Sequence, residues 1–115
     1  MSRIKSGKVT RQRHKRLLKQ TKGFFGQRKN IFRRAKETLM RALAYAFKGR
    51  KLKKRSMRAL FITRINAAVR PHGFSYSAFI PALKKANIQL NRKMLSQISI
   101  FEPSVFQKIV ETARG

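Results

Sequence analysis

Between residues 31 and 47 the apolar side chains fall at Ile31, Ala35, Leu39, Ala42, Leu43, Ala46 and Phe47. This three- and four-residue spacing marks one face of a helix. The pattern lapses through KGRKLKKRSMR, where only Leu52 and Met57 are apolar, and resumes at Leu60, Phe61, Ile65, Ala68 and Val69. Asn30 is placed to cap the run, and Pro71 with Gly73 to end it. One helix is therefore predicted over Ile31–Arg70, about 60 Å long at 1.5 Å per residue. Gly49 is its weak point, because glycine costs about 1 kcal/mol against alanine in a helix interior, and a bend is allowed there.

The flanking segments are shorter. Residues 1–9, MSRIKSGKV, show no helical period and predict an extended tail. Thr10 can N-cap a helix over RQRHKRLLKQT, with Gly23 as its stop. Leu17 and Leu18 are the large apolar residues of that helix. Without a stripe to bury, it is marginal in water and is expected to form on a partner. Three short helices are predicted after Gly73. The first runs through AFIPALKKA from Ser75 or Ser77. The later start is favoured because the missing N–H of Pro81 then falls in the first turns. An extended link, NIQL, precedes RKMLSQISI, capped by Asn91, with Met94, Leu95 and Ile98 on one face. Pro103 opens PSVFQKIVETA, which turns Val105, Phe106, Ile109 and Val110 inward. The fold class read from these patterns is all-α.

Charge separates the halves. The chain has 115 residues, 30 of them Lys or Arg and 3 acidic, for a formal net charge of +27. Residues 1–60 hold 22 of the basic groups and Glu37; residues 61–115 hold eight basic groups with Glu102 and Glu111. This predicts a basic helical extension over 1–58, with a corner at 23–26, and a small globular helical domain over 59–115. So much like charge opposes compaction until a partner of dense negative charge neutralises it, and nucleic acid fits that partner best, because phosphate spacing can match many basic groups at once. An anionic membrane surface is the weaker alternative. There is no cysteine, which excludes a disulfide scaffold, a thiolate zinc site and a thiol nucleophile. No run reaches the roughly 18 apolar residues of a membrane span. An Arg-rich, acid-poor start can be a mitochondrial presequence, but here the basic character continues to Arg58 and serine is scarce.

The candidate chemistry is contact rather than catalysis. His14 and His72 and the three glutamates are far apart in sequence, whereas general acid–base work needs positioned partners. GFFG lacks the spacing and the Lys–Ser/Thr pair of a phosphate-binding loop. The sequence therefore predicts no enzyme, no metal, no cofactor and no small-molecule substrate. The contact groups begin with Arg3, Lys5 and Lys8 in the tail and Arg11, Arg13, His14, Lys15, Arg16 and Lys19 on the first helix. Lys22, Phe24, Phe25, Arg28 and Lys29 follow at the corner. The long helix adds Arg33, Arg34, Arg41, Lys48, Arg50, Lys51, Lys53, Lys54, Arg55, Arg58 and Arg64. The basic groups of both helices go most of the way round. This favours burial among several phosphate strands, as in folded RNA, over one side of a linear duplex. Phe61, Phe79, Phe101 and Phe106 fall at helical apolar positions and read as core; Phe74 and Tyr76 read as packing at the turn. Phe24, Phe25, Phe32 and Phe47 have little core to join, and stacking on bases or riboses is open to them. The alternative for Phe25 is a hydrophobic staple onto the next helix. A histone-like DNA packer and a membrane-active amphipathic protein remain the competing classes.

Three segments carry a resemblance: RQRHKRLLKQTKGFFGQR, KKRSMRALFITRINAAVR and FSYSAFIPALKKANIQLNRKML. They resemble the bacterial-type large-subunit ribosomal protein L-twenty family, in register from Arg3 to the end. FITRINAA behind a Lys/Arg cluster and the Lys-Gly-aromatic-aromatic-Gly element are its specific parts. The resemblance implies an all-helical protein whose N-terminal extension threads large-subunit rRNA and whose C-terminal domain lies on the RNA surface. It implies a structural role, early in subunit assembly, beside neighbouring large-subunit proteins, without homo-oligomers. The location it implies is the ribosome, in a bacterial cytoplasm or an organelle, and the register from residue 3 argues against a transit peptide. The chain departs from the family pattern at Gly49, usually acidic; at Phe61, often Trp; at Pro81; and at Glu102, commonly Asp.

Overall fold

The computed structural model describes residues 5–115, which are helical in seven segments with no strand among them. The fold is all-α, as the periodicity predicts. The helices are α1 (Gly7–Gln20), α2 (Phe32–Val69), α3 (Tyr76–Lys85), α4 (Arg92–Phe101) and α5 (Pro103–Arg114). Short 3-10 turns occupy Gly26–Arg28 and Arg70–His72. The chain divides into two compact units, one ending at Arg50 and the other spanning Lys51–Gly115, so α2 supplies residues to both.

In the first unit, α1 begins earlier than predicted. Gly7, Lys8 and Val9 are helical, and Thr10 sits inside the helix, donating its N–H to the Ser6 carbonyl at 3.0 Å. Residues 1–4 of the predicted extended tail lie outside the described residues. The helix stops at Gln20, three residues before Gly23, with Thr21 at the cap position. α1 also has a stripe that counting leucines missed: Thr10, His14, Leu17 and Leu18 are half-buried and Thr21 is fully buried. α2 starts at Phe32, and Ala35 donates to the Ile31 carbonyl at 2.8 Å, so Ile31 and not Asn30 holds the cap position. α2 is assigned as α-helix without interruption through Gly49. A Cβ at Gly49 would meet nothing within 4 Å.

The second unit holds the core: Ile65, Val69, Phe79, Leu83, Leu95, Phe106, Val110 and Ala113. Four of the elements around it are joined by local devices. Gly73, at φ 77°, donates to Arg70 at 3.0 Å while Phe74 donates to Val69 at 3.2 Å. This paired closure of a helix end needs a left-handed residue, and glycine adopts that conformation without a Cβ clash. Asn87 (φ 54°) repeats it after α3, with Asn87 donating to Lys84 and Ile88 to Leu83. Ser75 caps α3 by accepting from the Ala78 N–H at 3.3 Å. Phe74 packs on Phe79 with centroids 6.0 Å apart, which is the residue pair of a hydrophobic staple. The favoured later start at Ser77 is thus wrong. Pro81 stands inside α3, and the cap together with the staple outweighs the one backbone bond it deletes. Asn91 caps α4, accepting from Met94 at 2.8 Å, and Pro103 opens α5, both as predicted.

Some predicted core residues face out. Phe101 is 74% exposed; it ends α4, where the chain turns into α5 at Glu102. Met94 and Val105 are also exposed, because the buried faces pass through Leu95 and Ser96 on α4 and Phe106, Val110 and Ala113 on α5. Phe61 is half-buried. On α2 the predicted apolar face is only partly covered: Leu43, Phe47 and Leu60 remain exposed.

Candidate nucleic-acid interface

The corner after α1 is built from within. Thr21 is completely buried, and its Oγ1 lies 3.2 Å from the Leu18 carbonyl and 3.3 Å from the Lys29 carbonyl. A single hydroxyl thereby links the end of α1 to the start of the approach to α2. Gly23 and Gly26 both have positive φ, 89° and 57°, so the two phenylalanines between them sit on a backbone path that side chains with a Cβ would resist. Phe24 is half-buried, whereas Phe25 is 93% exposed. The staple alternative for Phe25 is therefore excluded, since a staple buries its ring.

His14 was expected as one more polar contact among cations. Its ring instead stacks on Phe32, with centroids 3.7 Å apart and planes 20° from parallel. One face of each ring is thus used inside the unit. Phe32, read from the sequence as open to bases, already has a ring partner. The buried stripe of α1, though not the ring partner of His14, is visible in the sequence once His14 and Thr21 are placed with Leu17 and Leu18, a spacing of three and four throughout.

The cations divide by element. Arg3 lies outside the described residues. Lys5, Lys8, Arg11, Arg13, Lys15, Arg16 and Lys19 are exposed on or just before α1, and Lys22, Arg28 and Lys29 are exposed at the corner. Arg33, Arg34 and Arg41 are exposed on the first turns of α2. Arg41 pairs with Glu37 at 3.0 Å, one turn away. From Leu43 to Leu60 every residue of α2 is exposed, about five turns of helix. That stretch includes Lys48, Arg50, Lys51, Lys53, Lys54, Arg55 and Arg58 and no acidic residue. Arg64 is exposed further along.

The same five turns expose Leu43, Tyr45, Phe47, Leu52, Met57 and Leu60. A helix draws most of its stability from packing an amphipathic face, and these turns pack little of themselves against this chain. Cations and large apolar side chains are thus exposed together along the same turns. Among the described residues there is no cluster of metal-ligating side chains and no helix long and apolar enough to cross a membrane.

The family profile for ribosomal protein L20 matches residues 3–109. The chain is 54% identical over 114 residues to the large ribosomal subunit protein bL20 of Caldanaerobacter subterraneus, covering 99% of this chain and 96% of that protein. It is 54% identical to the bL20 protein of Mycoplasma capricolum over the same shares. The bL20 protein of Rippkaea orientalis is 53% identical over 115 residues, 100% of this chain and 98% of the relative.

Proposed function

Since the chain belongs to the ribosomal protein L20 family, we propose that it binds large-subunit rRNA directly and supports early assembly of the subunit. As a member of that family it is a large-subunit ribosomal protein and not an enzyme. Its proposed partners are the rRNA and neighbouring large-subunit proteins. The observation that carries the reading is the uncovered span of α2 from Leu43 to Leu60, charged and apolar by turns on all sides. Phosphates satisfy the cations by releasing counterions, and bases or riboses cover the apolar groups between them. A flat duplex meets only one side of a helix, so converging RNA strands fit better.

In this reading the cations of residues 1–58 draw distant rRNA segments together, Phe24 and Phe25 pack at the corner, and residues 59–115 form the compact C-terminal domain. The test is competition at moderate salt. The full chain, bound to large-subunit rRNA, is challenged with duplex DNA of equal phosphate concentration and with anionic vesicles. The expected result is that neither displaces the rRNA. Displacement by DNA on equal terms would make the protein a general packer, and vesicle leakage would favour the membrane reading.

A further inference from the structure

Within the second unit, Met57 and Phe61 are one turn apart on α2 and supply the apolar lining of a groove of ≈470 Å³. Lys53, Lys54 and Arg58 line it from the same helix, and Arg92 at the start of α4 lines it too. The volume lies in the range of small-ligand sites. Asn91 also borders the groove, but its Oδ1 accepts from the Met94 N–H at 2.8 Å. The polar side-chain groups left to a ligand are therefore donors. Arg92 is held in place beforehand. Its Nε donates to Tyr76 Oη at 2.7 Å, and the Tyr76 backbone N–H donates to Asn66 Oδ1 at 3.3 Å. A guanidinium already oriented loses less freedom on binding, and its remaining N–H groups suit a phosphate.

An apolar aromatic surface, four cations and a set of donors without a carboxylate match one chemical species: a nucleotide with its base unpaired. We propose that this groove binds a single unpaired ribonucleotide, its base against Phe61 and Met57 and its phosphate on Arg92 and the α2 cations. The proposal rests on the RNA-binding reading and adds to it a base-contacting site in the second unit. Phe61 was read from the sequence as core, and Arg92 was not among the predicted contacts. The half-exposed ring is explained by the role: a wholly buried Phe61 could offer no face to a base.

The test uses the full chain and single-stranded RNA carrying 5-iodouridine, cross-linked by light, with the joined peptides identified by mass spectrometry. Cross-links are expected on the peptide containing Met57 and Phe61. Arg92→Gln and, separately, Arg58→Gln should lower the yield there several-fold. Phe61→Leu should weaken binding by roughly five- to a hundredfold, the range for one stacked base. Arg58 is exposed, so its replacement keeps the result interpretable if the other two variants melt early. RNA that binds but cross-links only to residues before Arg50 overturns the site and leaves the wider reading standing. Loss of RNA binding by the unaltered chain removes both. Preferential uptake of an acidic peptide into the groove, with RNA excluded, overturns the site in favour of a protein partner.

Discussion

Phe25 and Phe32 show how far one aromatic differs from another seven residues away. Phe32 has its ring on His14, while Phe25 is 93% exposed on a turn fixed by two left-handed glycines and the buried Thr21. An exposed phenylalanine contributes little to folding, so truncating it should leave melting unchanged within about 0.5 kcal/mol. If it stacks on RNA, the same truncation costs about 1–3 kcal/mol of binding. Phe25→Ala is therefore expected to weaken rRNA binding without moving the thermal transition, as read by filter binding and calorimetry. A lowered transition with unchanged affinity would place Phe25 in the fold after all. Ser96 presents the reverse case: it is buried, and its hydroxyl has no hydrogen-bond partner among the described residues, a local cost to folding.

At the scale of elements, α2 combines two kinds of helix in one span. Its C-terminal turns bury Ile65 and Val69 in a core, whereas its middle turns are exposed throughout. Gly49 lies in that exposed middle with open space around it and helical backbone. Gly49→Ala should therefore stabilise the helix by about 1 kcal/mol, visible as added helicity of the free protein by circular dichroism. A fall in helicity would mean that the residue is not helical in solution. The cap of α4, the start of α5 and the run of α2 were legible in the sequence because they depend on neighbours in the chain: Asn91, Pro103 and the three- and four-residue spacing. The start of α3 and the exposure of Phe101 were not. The first turns on whether the Ser75 cap and the Phe74–Phe79 staple outweigh Pro81, a balance of local effects; the second follows from where α4 gives way to α5 at Glu102. The candidate site was legible as a charge distribution, while the pairing of His14 with Phe32 and the groove beside Arg92 required elements distant in sequence to be brought together.

For the whole molecule, a net charge of +27 on 115 residues acts on folding and binding with opposite signs. In the free chain, like charges repel and oppose compaction. Salt shortens the range of that repulsion, from a Debye length of about 30 Å at 0.01 M to about 10 Å at 0.1 M. The free protein should therefore melt at a higher temperature as salt is added. Binding to RNA should do the reverse, because its driving force is counterion release, which weakens as bulk salt rises. If eight of the 30 basic groups meet phosphates, affinity for rRNA should fall by roughly 10³-fold or more between 50 and 200 mM salt. Measuring both quantities over one salt series distinguishes this from a general effect of salt on structure. Were salt merely unfolding the protein, melting temperature and affinity would fall together. Were the contacts mainly apolar, affinity would hold steady while the melting temperature climbed. A rising melting temperature beside a steeply falling affinity is the result expected of a chain whose charge is matched by its partner rather than by itself.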